Sequence, residues 1–324
     1  MKEILFIHQG PHPVHGGFAS TITSNWKRYG DHYSEIFKNL LKSLFDDDSP
    51  DVIFCEGGLG LPYAVLKKMR NHNINIVLLS ADTLFYDLPQ MNFLLRKIVE
   101  FLLSYVDGII AISDLNSKLA QNHLPDIPIY TVYPYGNNNS FETNSNLDSN
   151  KLLFIGNKEF CKRFDLLVDA VKLLNLKEKK FELYLIGSCV EEVKEDFEWL
   201  HKEGVKRDLK PYFADCSLYV HPADFDSCPV TVFEAMSAGM IPLITENVGE
   251  AMILQQNGLE KLILKSNDPP KLAADILKIY KKDKQWKDRI SRCCKKISEE
   301  FNEKSQNAAF FRAFNRLLEE LVEK

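Results

Sequence analysis

Residues 217–245 read SLYVHPADFDSCPVTVFEAMSAGMIPLIT, a pattern that indicates the fold class of the chain. The apolar run at 216–220 predicts a buried strand, and the polar residues 222–228 predict a loop. Pro229 predicts the first position of a helix, and Gly239 predicts its end. A second apolar strand, IPLIT, follows. The stretch therefore predicts a β-α-β unit in which the amino end of the helix faces the loop, where unpaired N–H groups favour an anion.

Two carboxylates frame the amino end of that helix, Asp226 in the loop and Glu234 about a turn and a half into the helix. The pattern D-SCPVTVF-E followed by AMSAGMIPLIT resembles the E-x7-E signature of the family 4 retaining glycosyltransferases of GT-B fold. The HPA at 221–223 also agrees with that family. The alternative is a capping Asp and a surface Glu on an ordinary β-α-β unit.

The resemblance implies that Glu234 holds the ribose of a nucleotide sugar and that Asp226 orients the donor sugar. This sequence departs from the family at Asp226, which is one methylene shorter than the usual Glu. The residues between the two carboxylates that the resemblance assigns to donor binding are Ser227, Cys228, Pro229 and Val230.

Length and composition are those of a globular protein with two domains. The chain has 324 residues, of which 45% are hydrophobic and 26% charged. No apolar run reaches the roughly 18 residues that a membrane span needs, and the start MKEILFIHQG predicts a strand, not a signal peptide. We therefore expect a cytoplasmic protein.

The cysteines and the charged residues exclude several classes of protein. The seven cysteines are scattered without a C-x-x-C pair, which predicts buried thiols and neither a disulfide framework nor a zinc site. The net charge is −5, with 11 Lys+Arg and 16 Asp+Glu in residues 1–150 and 29 of each in the remainder. Because neither half is basic, we expect no nucleic-acid partner.

Strands alternate with helices in the first half, which predicts a parallel, doubly wound sheet with ligands at the carboxyl ends of its strands. The first strand ends in a loop that contains Gly16 and Gly17. The family resemblance places this pair against the donor diphosphate, and a tight turn is the alternative. Three histidines, His8, His12 and His15, cluster there without a carboxylate or Cys in the loop, so we predict no metal site.

Asp82 follows the predicted strand 74–80. Family members commonly have a His-Asp step at this place, whereas this chain has Ala81-Asp82. The resemblance implies that Asp82 orients the acceptor hydroxyl, and the alternative is a residue that caps a turn.

The helix predicted at 92–105, NFLLRKIVEFLLSY, is strongly apolar. We expect it to pack against the sheet. Because it carries only Arg96 and Lys97 as basic residues, a membrane-surface helix with weak peripheral membrane contact is the less favoured alternative.

An Asn/Ser-rich segment at about 137–150 predicts a linker between two domains. The predicted domains are 1–145, on the acceptor side, and 146–301, which binds the nucleotide sugar. As in GT-B proteins, the final helix at 302–324 is expected to cross back to the first domain.

The second domain begins with the strand 151–155, followed by Gly156, Asn157 and Lys162. The family usually has Gly-Arg-x4-Lys here, with both cations on the diphosphate. Lys162 keeps its position and Asn157 replaces the Arg, so Lys158 or Arg163 are alternative sources of the second charge. Gly187 and Gly249 also follow predicted strands, at the same edge of the sheet.

We therefore predict an α/β protein of GT-B fold, with two Rossmann-like domains facing across a cleft. The predicted reaction moves a sugar, with retention, from a UDP- or GDP-sugar to a glycan, lipid-linked or small-molecule acceptor. Lys162 and the helix amino end would stabilise the departing diphosphate, so neither a metal nor a cofactor is expected. The alternative is an inactive GT-B protein that binds a nucleotide sugar or a glycan. An epimerase of GT-B fold is disfavoured, because the epimerase pattern does not include the D-x7-E helix.

Overall fold

The computed structural model describes residues 3–8, 27–29, 49–136, 143–177, 181–265 and 268–322. The Gly16–Gly17 pair, His12, His15 and the helices predicted from Phe18 and at 35–45 lie outside the described residues.

The chain forms two units. The first consists of Met1–Tyr135 together with Glu303–Lys324, and the second is Gly136–Asn302. Each unit is built on a parallel six-stranded sheet with helices. Both sheets follow from apolar strands that alternate with amphipathic helices, the pattern of a doubly wound fold.

The sheet of the first unit has the order β2-β1-β3-β4-β5-β6. Its strands are β1 Ile4–Ile7, β2 Lys27–Tyr29, β3 Val52–Glu56, β4 Asn75–Ser80, β5 Gly108–Ala111 and β6 Ile129–Thr131. The helices between them are α1 Leu61–Arg70, α2 Leu84–Asp87, α3 Phe93–Leu103 and α4 Asp114–His123. β3 and β4 are buried along almost their whole length, as expected for central strands of a parallel sheet.

The last helix of the chain, α11 (Glu303–Val322), belongs to the first unit. Its buried Phe310 and Phe314 contact the Phe54 ring edge-on at 5.7 and 5.5 Å. A Cβ on Gly108 would lie 2.9 Å from Leu317, so this glycine leaves the space that the Leu317 side chain occupies.

The sheet of the second unit has the order β12-β11-β10-β7-β8-β9. Its strands are β7 Lys151–Ile155, β8 Glu182–Ile186, β9 Leu200–Gly204, β10 Leu218–His221, β11 Ile241–Thr245 and β12 Ile263–Leu264. Its helices are α5 Phe164–Asn175, α6 Lys210–Asp215, α7 Val230–Ser237, α8 Ala251–Gln256, α9 Pro269–Tyr280 and α10 Lys284–Glu300.

The strand order reverses between β7 and β10. β8 and β9 extend the sheet on one side of this pair, whereas β11 and β12 extend it on the other. Parallel doubly wound sheets bind ligands where the order reverses, because the flanking loops diverge there and leave a crevice. The loops after β7 and β10 are therefore the place where a site is expected.

The part of the predicted linker that the structure describes, from residue 143, is hydrogen-bonded within the second unit. The backbone N–H of Ser145 donates to Ala238 O at 2.8 Å, and that of Asn146 donates to Ala214 O at 2.9 Å. These hydrogen bonds join the polar segment from residue 143 to the second unit, and the division falls after Tyr135, not near residue 145. A polar composition does not prevent a segment from pairing its backbone with a folded neighbour.

The expectation that helix 92–105 buries its apolar side chains against the sheet is wrong for most of them. α3 begins after Asn92, whose side chain caps it by accepting from Leu95 N at 3.0 Å. Leu103 is its only buried residue, while Val99 and Leu102 pack partly against the core. Among the described helices, none has the length and hydropathy that crossing a membrane requires.

Candidate active site

Lys162 and Asp226 meet at the point where the strand order reverses. Lys162 ends a short 3-10 turn (Phe160–Lys162) after β7, and Asp226 lies in the loop after β10. The Lys162 ammonium donates to Oδ2 of Asp226, and the two side chains are 15% and 9% exposed. The fold thus brings together two charges that are 64 residues apart in the chain.

His221, the last residue of β10, completes this cluster. Its Nε2 lies 2.8 Å from Asp226 Oδ2, and its ring is fully buried and stacked on Phe154. Because an ionised carboxylate only accepts hydrogen bonds, we assign the proton of the imidazole to Nε2. Tyr219 links the strand to α7 through a 2.7 Å hydrogen bond between its hydroxyl and that of Thr231.

The electrostatics of the cluster fix its charge state. Burial by itself would raise the pKa of Asp226, but Lys162 and His221 outweigh it and lower this pKa to about 2. Burial disfavours the charged form of Lys162, yet Asp226 holds the lysine pKa above its ordinary value. Burial lowers the pKa of His221. At neutral pH the site therefore contains an anionic Asp226, a cationic Lys162 and a neutral His221.

The backbone of Asp226 is held by the loop after β11. Its N–H donates to Asn247 O at 3.0 Å, and its carbonyl accepts from Gly249 N at 2.9 Å. These bonds form an isolated parallel bridge with Val248. Asp226 is thereby fixed as firmly as a strand residue, although it lies in a loop.

Helix α7 begins one residue later than predicted. Pro229 is its N-cap, with an extended conformation (φ −70°, ψ 109°), and Val230 is the first helical residue. Pro229 supplies no side-chain cap to the first turn. The Cys228 thiol donates to Glu250 Oε1, 3.3 Å away.

Glu250 lies behind this loop and is fully buried. Its Oε1 accepts from Cys228, and its Oε2 has no hydrogen-bond partner among the described residues. Burial and the neighbouring Asp226 raise the pKa of Glu250 well above its ordinary value. Burial thus favours the neutral form of Glu250, which avoids a second buried anion beside Asp226.

Glu234 lies in the second turn of α7 and is also buried. A Cβ on Gly136 would lie 3.0 Å from Glu234 Cγ, so the backbone at Gly136 lies directly against this side chain. Glu234 is thus part of the same helix whose amino end borders Asp226, as the D-x7-E spacing requires.

Gly156 and Gly187 follow the adjacent strands β7 and β8. Gly187 has a φ of 108°, and a Cβ there would be 2.1 Å from Gly156 O, so only glycine fits. Gly156 N donates to Ile186 O at 2.9 Å. The close approach of the two backbones leaves the carboxyl ends of both strands without side chains.

The cations proposed as alternatives to the missing Arg have other partners. Lys158 pairs with Glu191 at 3.1 Å, and Arg163 pairs with Asp224 at 3.0 Å. Asn157 is exposed and accepts from Glu159 N at 3.3 Å. Lys162 is the lysine of this loop that contacts Asp226.

Asp82 lies in the first unit, directly after β4. Its Oδ2 accepts from Gly58 N at 2.9 Å, and its Oδ1 accepts from Leu84 N at 3.2 Å. Nearby Glu56 ends β3 and is buried, and its burial together with Asp82 raises its pKa to about 8. Asp82 therefore holds the turn into α2, and a neutral Glu56 accompanies it at pH 7.

A metal site is not formed by the described residues, because they contain no group of three His, Cys, Asp or Glu side chains that could hold an ion. His8 is the one member of the histidine loop that the structure describes. Sequence reasoning assigned no role to His221, Glu250, Glu56 or Gly136. The available signal was a polar residue next to an apolar strand, which holds for His221 and Glu56.

Part of the second unit matches a known protein family. Residues 149–282, less than half of the chain but including Lys162, Asp226 and Glu234, match the family model described as glycosyl transferases group 1. A search of curated proteins gives no match.

Solved structures are similar over nearly the whole chain. HepE from Anabaena in complex with UDP covers 98% of this chain and 100% of its own, with a TM-score of 0.74 and 16% identity. HepE in complex with UDP-glucose covers 100% of both chains, with a TM-score of 0.71 and 14% identity. Sucrose-phosphate synthase from Thermosynechococcus elongatus covers 98% of this chain and 99% of its own, with a TM-score of 0.73 and 14% identity.

The predicted fold class is confirmed: the two parallel α/β sheets and these structural similarities define a GT-B fold. The match of residues 149–282 supports a glycosyltransferase, with its group 1 domain in the second unit.

Proposed function

We propose that this protein transfers a sugar from a nucleoside-diphosphate sugar to an acceptor hydroxyl, with retention of anomeric configuration and without a metal ion. The observation that carries the proposal is the cluster of Lys162, Asp226 and His221, at most 15% exposed, at the strand-order reversal beside the amino end of α7.

Lys162 would stabilise the leaving group. When the bond between C1 of the sugar and the diphosphate oxygen breaks, negative charge develops on the diphosphate. An ammonium has three N–H donors, and Asp226 accepts one of them, so a diphosphate oxygen can take another. The N–H groups at the start of α7 add a second positive field. Together these groups supply what a metal ion provides in other transferases.

Asp226 would orient the donor sugar. Both of its hydrogen bonds to described side chains end on Oδ2, and Oδ1 makes none. Because the pKa of Asp226 is lowered to about 2, this oxygen is a charged acceptor at neutral pH and suits sugar hydroxyls.

The proposed retaining transfer needs no basic side chain of the protein to take the acceptor proton. The bond from C1 to the diphosphate breaks, and the bond from C1 to the acceptor oxygen forms on the same face of the sugar. The acceptor proton passes to the leaving diphosphate oxygen. Asp82, in the first unit, would orient the acceptor hydroxyl for this transfer.

The nucleotide is expected to be uridine or guanosine diphosphate, held through its ribose by Glu234. The HepE structures contain UDP and UDP-glucose, which makes UDP the first nucleotide to test. The acceptor would be a glycan, a lipid-linked sugar or a small molecule.

Glu234→Gln is expected to weaken nucleoside-diphosphate binding. A neutral amide replaces a charged acceptor to the ribose hydroxyls, so affinity should fall by about 1–3 kcal/mol, roughly 5- to 150-fold in Kd. Calorimetric titration of the preferred nucleotide, first identified by the thermal shift that UDP, GDP and ADP cause, measures this change. Glu260→Gln, at an exposed position of the same unit, is the matched control. Equal affinities for wild type and Glu234→Gln would remove Glu234 from the donor site.

The Asp82→Asn variant tests whether Asp82 orients the acceptor hydroxyl or only stabilises the turn that it caps. If Asp82 orients the acceptor, transfer should fall by roughly 10²-fold while nucleotide affinity and melting temperature stay near those of wild type. Asp87→Asn, in the adjacent helix and hydrogen-bonded to Thr83, is the control. If Asp82→Asn lowers stability and activity together, its hydrogen bonds to Gly58 N and Leu84 N are its main contribution.

A further inference from the structure

Arg163 has an unusual backbone conformation. Its φ of 50° and ψ of 37° lie in the left-handed region, and in the described part of the chain it is the one residue other than glycine with a positive φ. In this conformation Cβ comes close to the following carbonyl oxygen, so residues with a side chain like that of arginine rarely adopt it. Such conformations persist where surrounding contacts enforce them, and they are common at functional sites.

The place of Arg163 in the chain connects it to the candidate active site. Lys162, the preceding residue, ends the 3-10 turn and donates to Asp226, and the following residue, Phe164, begins α5. The backbone at Arg163 therefore sets the direction in which the chain leaves the lysine and enters the helix. Because α5 is fixed by its buried residues, among them Leu167, a different conformation at Arg163 would displace Lys162.

Two carboxylates hold the Arg163 side chain. Its Nη1 donates to both oxygens of Asp224, at 3.0 and 3.3 Å, and its Nε and Nη2 donate to Asp165, at 3.2 and 3.3 Å. Asp165 lies in the first turn of α5, whereas Asp224 lies in the loop after β10 that also carries Asp226. The guanidinium, on a side chain that is 20% exposed, thus joins the start of α5 to this loop.

Asp224 is a fixed anchor for the ion pair. Its backbone N–H donates to Cys161 O at 2.7 Å, which joins the loop after β10 to the 3-10 turn. The neighbouring carbonyl, that of Ala223, accepts from the Thr245 hydroxyl at 2.5 Å. The chain is therefore tied to one loop on both sides of Lys162, through the carbonyl of Cys161 and through the side chain of Arg163.

We propose that Arg163 is a positioning residue for Lys162. Its ion pair with Asp224 offsets the unfavourable backbone conformation and thereby keeps the Lys162 ammonium against Asp226. The guanidinium itself would not contact the donor, since Nε, Nη1 and Nη2 each already donate to a carboxylate. That the positioned lysine serves the diphosphate rests on the proposed function, whereas the position of Lys162 can be measured without any donor.

The first test is the rate at which acetic anhydride labels Lys162, read by mass spectrometry of the unliganded protein. Arg163→Ala removes the ion pair and leaves a residue that disfavours the left-handed conformation. Labelling should therefore become roughly 5- to 30-fold faster, the factor by which the cost of that conformation shifts an equilibrium. Arg163→Gly also lacks the side chain, but glycine adopts the conformation freely, so this variant should recover most of the protection. Lys158, whose side chain is 58% exposed, is the internal reference.

The second test asks whether Asp224 acts through Arg163. Asp224→Ala should speed the labelling of Lys162 when Arg163 is present and change it little in the Arg163→Gly background, where no guanidinium remains to be held. Arg292→Ala, which removes an exposed arginine of α10 in the same unit, is the matched control and should label like wild type. Melting temperatures of all variants show whether the fold is intact.

The third test extends the inference to the donor site through titrations with UDP and uridine. Arg163→Ala should weaken the binding of UDP by the same roughly 5- to 30-fold and that of uridine little, and Arg163→Gly should recover most of the UDP affinity.

Two outcomes would overturn the inference. Unchanged labelling of Lys162 in Arg163→Ala would show that Arg163 does not position the lysine. Equal losses of UDP affinity in Arg163→Ala and Arg163→Gly, with Lys162 protected in both, would show that the guanidinium contacts the diphosphate itself. A wild type that binds no nucleotide would contradict the proposed function, and the labelling rates would still decide the role of Arg163.

Discussion

Lys162→Ala is expected to lower the turnover of sugar transfer by roughly 10²- to 10³-fold, the effect of removing one preorganised group that stabilises transition-state charge. The Lys162 side chain is only 15% exposed beside Asp226, so water replaces its ammonium less readily than it would at an exposed position. Binding of the neutral nucleoside should change little, whereas binding of the nucleoside diphosphate should weaken, because only the diphosphate meets the lysine. Steady-state kinetics and titrations with uridine and UDP measure these effects.

Lys158→Ala is the matched control for Lys162→Ala. Lys158 lies in the same loop, but its side chain is 58% exposed and pairs with Glu191. The control should keep nearly full turnover. If Lys162→Ala weakens nucleoside and nucleoside diphosphate equally, Lys162 supports the fold of the loop and does not act on the diphosphate.

Asp226→Asn is expected to destabilise the second unit by about 3 kcal/mol, the lower end of the cost of breaking a buried ion pair. The substitution keeps the shape of the side chain but removes the negative charge that Lys162 and His221 face. Chemical denaturation at pH 7 measures the loss. Glu191→Gln, which removes an exposed ion pair with Lys158, should cost less than about 1 kcal/mol.

The stability difference between wild type and Asp226→Asn should depend on pH in one direction. The pKa of Asp226 falls from 3.8 to about 2 on folding, so the folded protein binds fewer protons than the unfolded chain in this interval. The stability that Asp226 contributes is therefore present above about pH 4 and is lost as the pH falls toward 2. Wild type should approach the variant over that range. A constant difference between pH 5 and pH 2 would show that the Asp226 carboxylate is not stabilised by its neighbours.

The sequence predicted most of the fold because both sheets are built from short apolar strands that alternate with helices. The strand at 241–245 was predicted with its observed limits, whereas the strand predicted at 216–220 is observed at Leu218–His221. The end of the first domain was predicted too late, because polar residues from 143 onward pair their backbone with the second unit. Composition indicates how polar a segment is, but it does not show which groups its backbone amides will form hydrogen bonds with.

The exposure of α3 could not be predicted from its sequence. Its apolar residues are consistent both with a helix between a sheet and other elements and with a helix that is covered on one side only. Which of the two arrangements forms depends on whether another element covers the outer side of α3, and this is a property of the tertiary structure.

The candidate site was predicted residue by residue but not as a cluster. Motif spacing singled out Lys162 and Asp226 separately, and only the adjacency of β7 and β10 brings them into contact. The predicted strand ended at Val220, and His221 was used only as part of the HPA pattern, although a polar residue at the carboxyl end of such a strand is a signal for a site. Gly136, which lies against Glu234, is the last residue of YPYG, a pattern that resembles the family's turn before the linker but gives no sign of a contact with Glu234.

The measurement that tests retaining transfer most directly is proton NMR of donor turnover in EDTA. The protein would be incubated with UDP-glucose, or with the nucleotide sugar that the thermal-shift screen selects, and the anomeric signal of the newly formed product recorded before it equilibrates. We expect the donor to be consumed at an undiminished rate in EDTA and the first product to keep the α-configuration of UDP-glucose. A β-product or activity that needs added Mg²⁺ or Mn²⁺ would contradict the mechanism. Tight nucleotide binding with no turnover of donor would instead identify a binding protein of GT-B fold.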